Sequence, residues 1–270
     1  MQAKGAMLRI KIVAYGKNKL AMNIPQEVND FLSTENKALV AEIEKMVPVN
    51  FTLCEDAGQY QSKSKKNGGK IVSAEIYYKY PLEQAKFSHE LLHMKVDLIL
   101  GDCYFLYWLS CEDEMLAKVV DGNFCADFLN VTQHVIFYPD ILDMGYSIEE
   151  QFEMPRDEAK IEVIYQDALK SRLKYKGVYD GQRIKCYVQL LVMYMFYPDE
   201  KRFAHRVKAL KSICAPLYAL VKNLRDTLDD IAIDASNREI VQDAYMEFAT
   251  KLRHQIYRMY NTPEPKLILE

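Results

Sequence analysis

The chain has 270 residues, 50% of them apolar, with 35 Lys and Arg against 38 Asp and Glu and a formal net charge of -3. That is enough apolar material for one large domain or two small ones, and it offers no surplus of positive charge to draw nucleic acid or an anionic membrane. No stretch reaches the roughly 18 uninterrupted apolar residues of a membrane span, and the first residues lack the apolar block and cleavage site of a secretory signal, so a cytoplasmic protein is expected.

In chain order, Met7–Tyr15 alternates apolar and basic residues and reads as a strand with one covered face. Pro25 and Gln26 open a helix that runs to Lys45, and Val47–Leu53 returns to extended structure. Gln59–Lys70, rich in Ser, Lys and Gly, reads as a polar loop, and Lys70–Lys79 as a strand that leads past Pro81 into a helix. From there the periodicity is helical, over 83–100, 104–119, 124–137, 157–174, 181–196, 200–229 and 237–260, with breaks at residues such as Gly101, Gly122, Pro139, Gly177 and Pro198. The expected fold class is α+β: a small N-terminal sheet with helices in residues 1–155, leading into a mainly α-helical region, 156–270, that is separate or part of the same domain. Six cysteines (Cys54, Cys103, Cys111, Cys125, Cys186 and Cys214) are scattered without a CxxC pair, which argues for reduced thiols rather than a cysteine metal cluster or a disulfide framework.

The chemistry concentrates in Phe87–Leu100, which contains His89-Glu90-Leu91-Leu92-His93. On a helix, histidines four apart share a face, where both imidazoles can bind one zinc ion while the glutamate between them reaches a water on that metal. His89 and His93 are thus expected metal ligands, and Glu90 the base that takes a proton from the water and passes it to a leaving amine. Asp97, four residues beyond His93, is placed by spacing to accept the second proton of the His93 ring.

From the strand near Ile71 through Phe87–His93, about a tenth of the chain, the sequence resembles the zincin-like metallopeptidases. The resemblance implies a zinc-dependent peptidase whose active-site helix follows a sheet with an edge strand for an extended peptide, here the strand at Ile71–Tyr78. The metzincin extension is excluded, because Val96 and Ile99 stand where its glycine and histidine would be.

The third ligand is left open by spacing alone. His134 is the first choice: on a helix through Asp127–Phe137, Phe124, Phe128, Val131 and Val135 form a buried stripe while Asp127, Asn130 and His134 share another face. Glu112 and Glu114 are the alternatives, although adjacent acids also suit a helix start. His205 and His254 sit in charged helical stretches and read as surface residues, and none of the nineteen tyrosines, Tyr138 and Tyr146 included, is assigned to oxyanion stabilisation. The expected function is zinc-dependent hydrolysis of a peptide or protein substrate. A non-catalytic sensor or binding protein on the same scaffold, and a helical interaction protein with an accidental motif, are the alternatives.

Overall fold

The computed structural model describes residues 25–54, 60–68, 70–101, 105–147, 158–197 and 199–266. The strand expected at Met7–Tyr15 lies outside them, as does Cys103; the other five cysteines are free thiols. The fold is α+β, with a small three-stranded sheet near the N-terminus and helices through the rest.

The first expected helix is broken in two. α1 spans Gln26–Asn29 and α2 spans Thr34–Glu44, because Ser33 stops the chain in an extended conformation and its Oγ accepts the Asn36 N–H at 3.1 Å, which starts a new helix. Strands β1 (Val49–Leu53), β2 (Gln61–Asn67) and β3 (Lys70–Tyr78) follow, in the spatial order β1-β3-β2, with β1 parallel and β2 antiparallel to β3. Two expectations are corrected here. The polar stretch read as a loop is β2; it alternates, but with Ser62 and Ser64 on its half-buried side instead of apolar residues, so it carries no hydrophobic period. β3 is the central strand, its backbone engaged on both sides by β1 and β2, and so is no open edge for a peptide. Among the described residues, β2 pairs only with β3 and leaves its outer edge open.

α3 (Gln84–Ile99) follows β3, and Asn36 of α2 docks it: the buried Asn36 amide donates to the Gln84 carbonyl (3.1 Å) and accepts from Ser88 Oγ (2.7 Å), one residue before His89. The run expected over 104–119 divides into α4 (Phe105–Glu112) and α5 (Glu114–Ala117), because the Asp113 carboxylate turns to cap the Met115 and Leu116 N–H groups. α6 (Gly122–Asp143) continues through Pro139, where a break was expected. Proline forfeits one backbone hydrogen bond, and at this exposed position the remaining turns carry the helix onward.

α7 (Glu158–Ser171) leads into a two-stranded hairpin, β4 (Lys174–Tyr175) and β5 (Val178–Tyr179), inside a stretch expected to be helical up to 174. α8 (Gly181–Met195) starts against α5 so closely that a Cβ on Gly181 would lie 2.4 Å from the Lys118 carbonyl oxygen. The expected run 200–229 is two helices, α9 (Glu200–Lys211) and α10 (Ala215–Leu228). Pro216 suits the first turn of the second, and the buried Tyr187 hydroxyl donates to the Leu210 and Cys214 carbonyls at the corner. A 3-10 turn at Ala235–Asn237 precedes α11 (Arg238–Tyr260), which packs on α4, α5 and α10.

One buried apolar cluster runs from Val28 in α1 to Met259 in α11 and takes in residues on both sides of position 155. No helix among the described residues is long and apolar enough to cross a membrane. α11 is tied to α5 by an ion pair between Arg253 Nε and Asp113 Oδ2 (2.5 Å), both nearly inaccessible to solvent. Tyr257 also donates to Asp113 (3.2 Å), and Arg253 reaches Glu264 and the Pro265 carbonyl in the segment after α11. Removing one partner of such a pair leaves a buried charge, so Asp113→Ala should cost about 3–5 kcal/mol in urea-induced unfolding. Glu247→Ala, which breaks an exposed pair with Lys251 one turn along α11, should cost under about 1 kcal/mol.

Candidate metal centre

α3 presents His89 and His93 four residues apart on one face, and the second turn of that face meets α6. α6 contributes His134. The Nε2 atoms of His89 and His93 lie 3.1 Å apart, those of His93 and His134 lie 3.3 Å apart, and the ligating nitrogens of all three fall within 4.8 Å of one another. Three imidazole nitrogens on a tetrahedral ion at about 2.05 Å each would be separated by roughly 3.3 Å, which the His89–His93 and His93–His134 separations match. The imidazole donor set suits zinc, copper, iron or nickel, and three protein ligands leave a fourth position open.

The surroundings favour the ligating form of the rings. His93 is buried, and desolvation pushes its pKa down to about 4; burial, with the neighbouring imidazoles His89 and His134's other neighbour His93, also drives His134 well below its ordinary value. A neutral imidazole keeps a lone pair for a metal. Phe137, three residues beyond His134, sets its ring edge-on to all three imidazoles, with centroids 5.4, 4.8 and 5.4 Å from those of His89, His93 and His134.

The tautomer of His93 is set by a relay. Its Nδ1–H donates to Gln133 Oε1 (2.7 Å), and Gln133 Nε2 donates in turn to Asp97 Oδ1 (2.7 Å). Placing the proton on Nδ1 leaves Nε2 as the acceptor that faces His89 and His134. The His93 Nδ1 proton thus goes to Gln133, which links the ring to Asp97, a correction to the direct contact expected from spacing. Gln133 is buried and was missed because it flanks His134 in a run read for its ligand alone.

Glu90 occupies a different microenvironment. Burial raises its carboxyl pKa, while the Ser62 hydroxyl and backbone N–H of β2 donate to the carboxylate and offset part of that rise. Ser62 was also missed, because its strand was not recognised.

The remaining candidates lie elsewhere. Glu112 and Glu114 are exposed and do not join the histidine group; Asp113 between them turns inward to cap α5, and its neighbours point outward. Asp127 and Asn130 are exposed as well, and Asp127, two turns before His134, is about 10 Å away along the helix axis. His205 is exposed, and His254 bonds Glu264 through Nδ1 at 2.6 Å. Tyr138 packs against the apolar core and Tyr146 reaches Ser33.

No protein-family model, curated protein or solved structure matches this chain. Three convergent imidazoles, with the tautomer of His93 fixed, form a group that can hold a metal ion. Gln133→Leu removes the acceptor for His93 Nδ1–H without touching a ligand, and should weaken zinc binding about 10–100-fold, measured by competition with a chromogenic chelator.

Proposed function

We propose that the chain is a zinc-dependent peptide hydrolase in which α3 serves as a zincin-like active-site helix. The observation that carries this reading is the convergence of His89, His93 and His134, with Glu90 next to His89 in the chain and its carboxyl pKa raised by burial. A purely structural zinc site would fill all four positions with protein ligands and would have no use for that carboxylate.

Zinc, when bound, supplies a Lewis acid that polarises the scissile carbonyl and acidifies a coordinated water. The chain's own residues do the rest. His89, His93 and His134 hold the ion, and the Gln133–Asp97 relay keeps His93 in the ligating tautomer. Glu90 accepts the proton from the attacking water and delivers it to the leaving amine. Its raised pKa brings it nearer to neutrality, where a group that must both take and give a proton works best. Ser62 holds the carboxylate in place from β2. The open outer edge of β2, in place of the central β3, is the strand on which an extended substrate would add by main-chain pairing.

Glu90→Gln should keep zinc at the wild-type stoichiometry and lower peptide turnover by about 10²–10⁴-fold in a peptide-library assay; unchanged turnover would sink the mechanism. Ser62→Ala removes the hydroxyl donor to the Glu90 carboxylate and leaves the backbone N–H donor in place. Loss of a donor to the charged form raises the carboxyl pKa, so the acidic limb of the kcat/KM profile should move to higher pH while the alkaline limb stays in place.

A further inference from the structure

A cleft of about 500 Å³ opens between α9 and α10, with the C-terminal end of α8 as its floor. α9 contributes Ala204, Val207, Lys208 and Lys211, at the spacing of one helical face, and α10 contributes Tyr218, Lys222 and Arg225 at the same spacing. None of these belongs to the histidine site. In a chain of net charge -3, four cations converge here against a single lining carboxylate, Asp226.

The cations differ in how they are held. Arg225 is fixed, its Nε donating to the Met195 carbonyl (2.7 Å) and its guanidinium pairing with Asp229 (2.7 Å). Lys222 pairs with Asp226. Lys208 and Lys211 stand in the last turn of α9, where the exposed carbonyls favour positive charge, and neither has a carboxylate partner among the described residues. Lys211 instead lies over the Tyr218 ring, 5.0 Å from its centroid. Below this cationic rim, Met195 and Val207 offer an apolar wall.

We propose that this cleft binds a nucleoside polyphosphate. Its volume is in the range of small-molecule sites and far exceeds that of a free phosphate. Flexible ammonium groups at the rim suit a run of phosphates, each a compact anion that lysine meets as a point charge. The Tyr218 face and the Met195–Val207 wall suit the organic part. The cations are gathered in one cleft instead of running as a stripe, which is what a small ligand needs and a nucleic-acid strand does not.

The full chain is titrated calorimetrically with ATP, pyrophosphate and adenosine, alongside Lys208→Gln/Lys211→Gln and, as a control, Lys174→Gln/Lys176→Gln on the exposed β4–β5 hairpin. ATP should bind the wild type and the hairpin control alike, at least tenfold more weakly the Lys208/Lys211 variant, and pyrophosphate more weakly than ATP. Adenosine should give no measurable heat. Both variants should keep the wild-type circular dichroism, since all four lysines are exposed. No ATP binding at millimolar concentration, equal loss in the hairpin control, pyrophosphate binding as tight as ATP, or ATP heats unchanged in the Lys208/Lys211 variant would each overturn the proposal. The last outcome would place ATP binding elsewhere on the chain, the histidine site included, since both variants leave that site intact.

Discussion

The packing of α3 against α6 is the constraint on which the candidate site depends. Two of the three imidazoles come from one helix by local spacing, but the third is brought in by the contact between helices, and a rotation of either by one residue would turn its side chains by about 100° and scatter the nitrogens. The contact is specified by volume: Leu91, Leu92, Met94 and Val96 on α3, and Phe128, Ile136 and Phe137 on α6, are all buried in the common core. A polar bond adds direction. Gln133 of α6 joins Asp97 and His93 of α3, so the same amide that orients the ring also sets the register of the two helices.

The sheet and α2 position the other end of α3. Asn36 and Ser88 fix the first turn of α3 immediately before His89, and Ser62 of β2 reaches Glu90, the next residue along. The edge strand and the Glu90 carboxylate are thereby linked in the same few residues, so that on the proposed reading a peptide added to β2 would arrive beside Glu90. The C-terminal helices close the structure behind this assembly through α6–α8 and α11 contacts and the buried Arg253–Asp113 pair.

Much of this was legible in the sequence where the cause is local. The His89–His93 pair depends only on helical spacing, and α3, α8 and α11 announce themselves by apolar periodicity within a residue or two of their observed ends. His134, 41 residues beyond His93, was identifiable by residue type and helical phase, but its rivals Glu112 and Glu114 could be set aside only once the turn at Asp113 was seen to carry them outward. Where the cause is tertiary, the sequence was silent. β2 has serines and lysines where a strand usually shows apolar residues, because its inner face meets a carboxylate instead of a core. Gln133 carries no signal of its role, since it acts through a ring on another helix. Helix breaks at Ser33, Asp113 and Cys214 arise from side-chain caps and a buried tyrosine that compete locally with continued helix, and apolar periodicity does not register such competition.

The measurement that bears most directly on the central claim is X-ray absorption at the zinc edge on protein purified without chelator or affinity-tag nickel, with total metal determined on the same sample. The account predicts about one zinc per chain with three imidazole nitrogens near 2.0–2.1 Å and one further light ligand, and loss of an imidazole contribution in His134→Ala. Protein that takes up no stoichiometric zinc when zinc is supplied, or zinc whose imidazole count is unchanged in His134→Ala, would contradict it.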